Sequence, residues 1–499
     1  MKSEHPHSSK LGATRGCLSH SISEGIAMSV FSMNTANLIF ADTAARRASR
    51  KAAWRLIPFL ILCFLVGFLD RVNLGFAALT MNKELGFTAE MFGLGVGIFF
   101  FGYFIFEVPS NLILERVGAR RWIARIMISW GVISASFAFV PSISAMLQSF
   151  SFSFFDNART FYLMRFIFGA AEAGFAPGIT LYLTYWFAAD ERARWMGVYL
   201  TAVPLSSVIG GPISGFILDA LNDYSGLSGW QWLFIIEGVP SVLVGLWALR
   251  HLTDKPTEAA WLELDERIAL QARIDHERKS REAIRHYTLG EALINPRVLG
   301  LSIIYVGIGC GLYGLAYWLP QIVKGMATDI GLDNVTGVSI NTLTGYLVAV
   351  PYAFAIVAMI LWTRHSDITH ERVWHVGCPA VVSGLSLIAS VYLGNPVLAA
   401  VALIICAMGL YAALPTFWAL PTGFLTGSAA AGGIALINSI GNLGGFVGPY
   451  AIGWIKDATS EPTLGLVVPA AGLIMAGIVT FLMGHDSKIE MAGSRMMAD

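Results

Sequence analysis

The chain has 499 residues, of which 55% are hydrophobic and only 13% are charged. This composition, with a mean hydropathy of +0.63, excludes an ordinary soluble globular protein. The formal net charge is zero, so no electrostatic argument supports a nucleic-acid partner, and the five cysteines lack the spacing of a disulfide framework or a zinc site.

Residues 1–50 are polar and rich in serine, and their apolar residues show no helical periodicity. We predict that this segment is a disordered cytoplasmic tail. No secretory signal is indicated, because the stretch IAMSVFSMNTANLIF is interrupted by polar residues and lacks the expected flanks.

Beyond residue 50, long apolar segments alternate with short polar loops. Since about 20 apolar residues cross the hydrocarbon core of a bilayer, these segments predict twelve transmembrane helices. The predicted spans are 55–78, 91–113, 122–141, 160–184, 196–218, 232–251, 298–319, 337–362, 373–393, 397–417, 429–455 and 464–484.

The basic residues are distributed unequally between the two sides of the predicted membrane. With a cytoplasmic N-terminus, the outside loops hold only Lys83, Arg159, Lys324 and Lys456 of the 33 lysines and arginines. The positive-inside rule therefore predicts that both termini are cytoplasmic. We expect a multi-pass protein of the inner (plasma) membrane.

A polar segment, 252–297, divides the predicted spans into two groups of six. Its apolar residues recur among charged ones and predict an amphipathic cytoplasmic helix: Leu262, Ile268, Leu270 and Ile274. The predicted domains are therefore a six-helix half at 51–251, this linker, a six-helix half at 298–485 and a cytoplasmic tail at 486–499.

The two predicted halves contain similar sequences at corresponding places. GGPISGFILD (210–219) in the fifth span corresponds to VGPYAIGWIKD (447–457) in the eleventh, and LILERVGARRW (112–122) corresponds to LWTRHSDITHERVW (361–374). Repeated six-helix halves are typical of transporters, whose site lies between the halves near the membrane midplane. We predict an all-α integral membrane protein with two pseudo-symmetric halves.

Four charged residues lie deep in the apolar spans: Asp70 and Arg71 in the first, Arg165 and Glu172 in the fourth. A lone charge at this depth costs roughly 2.5–3.5 kcal/mol, so we expect these groups to face a protein-lined cavity. Adjacent residues on a helix point about 100° apart, which leaves Arg71 free to bind a carboxylate with its planar fork. Arg165 and Glu172 are two helical turns apart and share one face.

Several long motifs then resemble the major facilitator superfamily, and more closely its anion:cation symporter group, which includes bacterial tartrate, galactonate, phthalate and hydroxyphenylacetate permeases. They include GFLDRVNLGFA (67–77), FEVPSNLILERVGARRWIARIMISWG (106–131), RFIFGAAEAGFAPGITLYLTYWF (165–187) and GGIALINSIGNLGGFVGP (432–449). The resemblance implies the major facilitator fold and proton-driven uptake of a small organic anion, such as tartrate, a sugar acid or an aromatic acid, by alternating access.

For the substrate site, the resemblance implies that Arg71 binds the carboxylate, with Asn438 and Trp418 near substrate hydroxyl and carboxylate groups. Tyr305 stands where galactonate-type relatives carry glutamine, which argues against a similar polyol and favours a smaller or partly aromatic acid. The predicted substrate-binding residues are Arg71, Tyr305, Tyr313, Thr416, Trp418 and Asn438. Helix packing remains the alternative role for the aromatic residues and the asparagine.

For proton coupling, the resemblance implies roles for Glu172 and Asp70. Burial favours the neutral acid and nearby arginines favour the carboxylate, so such a group can bind and release a proton. Arg165 is the third predicted coupling residue: it either only holds Glu172 or takes part in proton coupling or substrate binding. The turn at 115–121 and its counterpart at 364–372 resemble a cytoplasmic gate motif, with predicted gate residues Glu115, Arg116, Arg120, Arg121 and Asp367.

Glu107 and Glu237 precede helix-breaking residues, and we predict that both bind backbone groups freed by the breaks. An exchanger or efflux carrier is the alternative function, because GGPISG resembles a glycine–proline motif of antiporters. A transporter-like nutrient sensor is a weaker one. The spans contain no histidine cluster, nucleophile motif or metal-ligand spacing, so we expect a monomeric transporter without catalytic residues, metal or cofactor rather than an enzyme.

Overall fold

The computed structural model describes residues 13–150, 152, 154–282, 295–424, 428–459 and 464–484, with side chains from residue 42 onwards apart from short gaps. The regular elements of these residues are helices. The first twelve residues of the predicted N-terminal tail and the predicted C-terminal tail, 486–499, lie outside the described residues.

The first half of the bundle and the linker contain ten helices in the described chain. They are α1 Ala13–Leu85, α2 Ala89–Val117, α3 Ala119–Ser136, α4 Val140–Ser149, α5 Asn157–Glu172, α6 Phe175–Thr184, α7 Ala189–Leu200, α8 Ala202–Ala220, α9 Gly229–His251 and, in the linker, α10 Leu264–Glu282.

The described part of the second half contains eight helices. They are α11 Pro296–Asp329, α12 Leu332–Thr336, α13 Ile340–Thr369, α14 Val373–Tyr392, α15 Pro396–Phe424, α16 Ser428–Asn442, α17 Gly444–Thr459 and α18 Val467–Met483.

Within the described residues, eleven stretches are long and apolar enough to cross a membrane. The remaining predicted span, 429–455, is built by α16 and α17, which are separated only at Leu443. Several other spans likewise consist of two consecutive helices, such as α3 with α4 and α5 with α6. The predicted all-α architecture of twelve spans is confirmed.

The N-terminal segment differs from the predicted disordered tail, because α1 already begins at Ala13. In its described part, Ala44, Ala45 and Ala48 are buried. Arg47 and Lys51 form ion pairs of 3.3 and 2.8 Å with Asp265 and Glu266 near the start of α10. The physical reason is helix propensity: the run TAARRASRKAA consists mainly of alanine, arginine and lysine, which are strong helix formers even without an apolar repeat.

The predicted amphipathic helix of the linker corresponds to α10. Leu262 and Leu270 are buried, and Ile274 is half-buried, whereas Ile268 is 62% exposed. Ile268 lies about 200° around the helix from Leu270, so it does not share the buried face of that residue.

Two names are used below for the ends of the bundle. The linker end contains residues 42–54 and α10, together with the 117–119 and 369–373 turns. The far end contains the 85–89, 220–229 and 329–340 connections, together with residues 459 and 464. The two halves pack directly against each other where Gly211 and Gly345 bring the backbones of α8 and α13 together. Small residues permit such close approach between membrane helices.

Candidate functional site

The centre of the bundle contains an ion pair between Arg71 of α1 and Glu172 of α5. Arg71 Nη2 donates to Glu172 Oε1, and Arg71 Nη1 donates to Tyr313 Oη of α11 at 3.2 Å. The Glu172 side chain is 1% exposed and that of Arg71 is 11% exposed. One guanidinium group therefore connects a carboxylate of the first half to a hydroxyl of the second.

Glu172 owes its position to a break that the sequence analysis missed within the span 160–184. Helix α5 ends at Glu172, Gly174 adopts a left-handed conformation with φ of 85°, and α6 begins at Phe175. Glycine adopts this conformation without a steric penalty, and a Cβ atom at Gly174 would also collide with Ser110. The break places the carboxylate at a helix end beside α1.

Aromatic rings surround the Arg71 guanidinium. Its carbon lies 4.6 Å from the centroid of Phe68, 5.4 Å from that of Phe99 and 5.9 Å from that of Tyr103. Such contacts stabilise a cation at sites from which water is excluded. The sequence analysis did not select Phe99 or Tyr103, because only the packing of α2 against α5 brings them here.

Asp70 points away from Arg71, as the angle between adjacent helical residues requires. It accepts hydrogen bonds from Ser134 Oγ at 2.7 Å and Ser241 Oγ at 2.9 Å, and a longer one of 3.4 Å from Asn73. The carboxyl group is buried between α1, α3 and α9. It therefore lies inside the first half, beside the central site and not in it.

Arg165 is buried but does not pair with Glu172. Its Nε donates to the carbonyl of Gly95 at 3.2 Å, and its guanidinium lies 4.9 Å from the Phe99 centroid. Its Nη2 atom is buried with no hydrogen-bond partner in the described part of the chain. Of the two arginines, it is Arg71 that holds Glu172.

A small cavity adjoins the ion pair between the two halves. Its volume of about 20 Å³ accommodates roughly one water molecule and excludes an organic acid. The central site must therefore open to admit a substrate. The polar residues that line the cavity are Arg71, Ser207, Tyr313, Tyr317 and Tyr411.

Three other predicted substrate residues lie in α11 and α15 of the second half: Tyr305, Thr416 and Trp418. The rings of Tyr305 and Phe417 are stacked at 5.1 Å, and Trp418 meets Tyr305 edge-on at 4.9 Å. Thr416 faces α14 instead, because its buried hydroxyl lies within hydrogen-bonding distance of the His375 carbonyl, at 3.2 Å, and of two carbonyls of its own helix. The structure does not bring Thr416 to the cavity.

Asn438 of the second half forms a hydrogen bond with Glu107 of the first half. Its Nδ2 donates to Glu107 Oε1 at 2.5 Å, and Ser439 Oγ donates to Oε2 at 2.8 Å. Glu237 accepts a hydrogen bond of 2.7 Å from Ser214 Oγ. The predicted backbone partners were wrong for both glutamates, because neighbouring helices present side-chain donors that no single-helix pattern reveals.

The predicted gate residues lie at the linker end. Asp367 forms an ion pair of 2.7 Å with Arg372, and the backbone N–H of Arg120 donates to Asp254 at 2.7 Å. Glu115, Arg116 and Arg121 are exposed and have no ion pair with another described residue. The structure thus contains one acid–base contact within the second copy of the motif.

Two aspartates that the sequence analysis did not select connect the halves at the far end. Asp219 at the end of α8 accepts hydrogen bonds of 2.7 Å from the backbone N–H and the hydroxyl of Thr342 in the first turn of α13. Asp457 near the end of α17 accepts bonds of 3.1 and 2.7 Å from the N–H groups of Ala89 and Glu90 in the first turn of α2. A carboxylate at a helix N-terminus is stabilising.

The two aspartates that join the halves at the far end occupy equivalent positions in the internal repeat. Each is the last residue of one of the repeated sequences, GGPISGFILD and VGPYAIGWIKD. Each aspartate of one half therefore caps a helix of the other half. The repeat itself was the signal that could have identified them.

We expect Asp219→Ala and Asp457→Ala together to open the far end. Each substitution leaves N–H groups without a carboxylate partner, which weakens closure by about 1 kcal/mol or more. The measurement is labelling of Ser207→Cys, a cavity position, by a membrane-impermeant maleimide from the far-end side. We expect labelling to increase at least fivefold over the chain that retains both aspartates.

Asp329→Ala is the matched control, because Asp329 is an exposed aspartate in the last turn of α11 at the same end of the bundle and takes no part in either cap. The chain without the Ser207→Cys substitution gives the background labelling of the native cysteines, which is subtracted. Labelling that does not change in the double variant would show that the aspartates do not hold this end closed.

Comparison with known proteins agrees with this architecture. Residues 60–449 match the family model of the Major Facilitator Superfamily. A protein of Agrobacterium vitis named as a tartrate transporter is 46% identical over 88% of this chain and 92% of its own length. A quinolone resistance transporter of Acinetobacter baumannii is 35% identical over 87% of this chain and 94% of its own length.

Among solved structures, the xylose transporter XylE from E. coli in a partially occluded inward-open conformation is similar, with a TM-score of 0.68. The match covers 88% of this chain and 99% of that chain at 12% sequence identity. At that level of identity, the likeness concerns the fold alone.

Proposed function

The chain belongs to the Major Facilitator Superfamily, as its motifs predicted, and from this premise we propose that it takes up a small organic anion together with protons by alternating access. In this proposal the linker end is cytoplasmic, in agreement with the distribution of basic residues, and the far end faces outwards. The protein acts in the inner (plasma) membrane.

The observation that carries the proposal is the buried pair of Arg71 and Glu172 beside the central cavity. A substrate carboxylate and the Glu172 carboxylate compete for the same guanidinium group. Protonation of Glu172 removes its charge and releases Arg71, which then binds the substrate carboxylate through its planar fork. After the substrate leaves, Glu172 loses its proton and pairs with Arg71 again.

The residues beside the ion pair favour a substrate acid that carries hydroxyl groups. Tyr313 already binds the guanidinium of Arg71, and Ser207, Tyr317 and Tyr411, each of which carries a hydroxyl, also line the cavity. Asn438 joins the substrate site when Glu107 releases it. Because a relative with 46% identity is named as a tartrate transporter, tartrate is the first substrate to test.

The test is uptake of radiolabelled carboxylates with four to eight carbons into proteoliposomes, with and without an imposed pH gradient. We expect accumulation of tartrate or a similar hydroxy acid only when the outside is more acidic. If sodium replaces the requirement for a pH gradient, proton symport is excluded.

The charge carried in each cycle gives a second expectation. With two protons, carried by Asp70 and Glu172, a monocarboxylate brings one net positive charge inward, and a potential of 100 mV contributes about 2.3 kcal/mol per charge. An inside-negative potassium diffusion potential should therefore accelerate monocarboxylate uptake, whereas dicarboxylate uptake should respond to pH alone. A protonophore should abolish accumulation of both, and a monocarboxylate rate that is indifferent to potential would contradict two-proton coupling.

Exchange or efflux is the second candidate function. It is favoured by the GGPISG sequence of α8, where Gly211 lies against the second half, and by the 35% identity to a quinolone resistance transporter. The same proteoliposomes distinguish it from symport. Uptake that requires an anion inside the vesicle, and no pH gradient, would establish exchange.

A further inference from the structure

A groove of about 1070 Å³ lies at the linker end, far from the central site. It is open to the surface and is lined by α1, the last turns of α9, and residues 261–266 around the start of α10. The residues that α1 contributes recur at intervals of three and four, so they form one face of the helix. Along this face the lining changes from Arg47 and Arg50 to Phe59 and Leu62.

The basic part of the groove contains more positive charge than its carboxylates neutralise. Four cationic side chains line it, Arg47, Arg50, Lys51 and Arg55, against two glutamates that both pair with Lys51. Arg47 pairs with Asp265. Arg50 and Arg55 have no carboxylate partner among the described residues, and the four cations face three carboxylates when Asp265 is included, which leaves a net positive charge.

Tryptophans place the groove at the boundary of the membrane. Trp54 precedes the first predicted span and is 76% exposed, and Trp247 near the end of α9 is 48% exposed. Tryptophan is enriched where hydrocarbon meets the polar headgroups. From Arg50 to Leu62 the helix rises roughly 18 Å, so one groove extends from the headgroup region into the hydrocarbon.

We propose that this groove binds an anionic phospholipid. Its phosphodiester lies between Arg50 and Arg55, since the guanidinium fork matches phosphate geometry, and an acyl chain follows Phe59 and Leu62. A soluble phosphate would satisfy the arginines but would leave the apolar half of the groove unfilled. The continuous change from basic to apolar lining therefore favours a lipid.

The probe is phosphatidylglycerol with two eight-carbon chains, titrated into the purified full-length protein in a neutral detergent and measured by native mass spectrometry. Arg50→Gln should weaken binding about fivefold and Arg50→Glu more strongly, because each basic residue near a headgroup contributes about a fivefold factor. Arg50 is exposed and has no ion-pair partner among the described residues, so we expect the variants to retain the fold.

Arg46→Gln is the matched control, because Arg46 is on the same helix, 71% exposed and paired with Asp42 outside the groove. Its affinity should stay within twofold of the unmodified protein. An equal loss in Arg46→Gln, or equal binding of dioctanoyl phosphatidylcholine, would overturn the proposal. Equally tight binding of glycerophosphoglycerol, the same headgroup without acyl chains, would assign the site to soluble phosphodiesters instead. None of these measurements depends on transport.

Discussion

Arg71→Lys should reduce uptake to near background while the protein still reaches the membrane. Lysine keeps the positive charge but has no planar fork, and a single ammonium group cannot contact Glu172 and Tyr313 in the way that the two guanidinium nitrogens do. Loss of one partner from a buried, hydrogen-bonded charge pair costs about 2 kcal/mol or more, which corresponds to a decrease in uptake of roughly thirtyfold or more.

The measurement is the initial rate of carboxylate uptake in proteoliposomes, normalised to the amount of inserted protein. Arg159→Lys is the matched control, because Arg159 is an arginine of the same bundle half whose side chain is 46% exposed and paired with Asp156. The control should transport normally. Normal uptake by Arg71→Lys would remove Arg71 from the substrate site.

Glu172→Gln should abolish accumulation driven by a pH gradient but preserve exchange of labelled for unlabelled substrate. The amide is a permanent analogue of the protonated acid, so Arg71 stays available to substrate and no proton can be released. Net uptake against a gradient should fall to the level of passive equilibration. Counterflow, which needs no proton cycle, should persist at a rate comparable to that of the unmodified protein.

Glu237→Gln provides the control for neutralisation of a buried carboxylate. The Glu237 side chain is buried, like those of Arg71 and Glu172. It accepts a hydrogen bond from the hydroxyl of Ser214, which can donate equally well to an amide oxygen. We expect it to retain accumulation. Concentrative uptake by Glu172→Gln would show that the proton travels elsewhere, and Asp70→Asn would then be the next variant to measure.

The contact between Glu107 and Asn438 gives the proposed cycle a second point of competition. Asn438 and Ser439 donate to Glu107 in the closed centre, and the same donors suit a substrate carboxylate or hydroxyl. In the proposed cycle, Glu107 therefore occupies, in the absence of substrate, groups that we expect the substrate to bind when the site opens.

The sequence by itself determined the class of protein, the twelve spans and the deep charges. Apolar length is read directly from the chain, and a charge inside an apolar span stands out because hydrocarbon penalises it. The separation of Asp70 from Arg71 also follows from the sequence, because the angle between adjacent helical residues is a property of a single helix.

Only the tertiary structure decided which charges meet. Helical spacing put Arg165 and Glu172 on one face, yet the partner of Glu172 is Arg71, because α5 ends at Glu172 and turns the carboxylate towards α1. The far-end caps of Asp219 and Asp457 and the contact of Glu107 with Asn438 likewise join helices that are distant in sequence. Periodicity states which residues share a face of a helix, whereas the choice of the helix that covers that face depends on packing across the whole bundle.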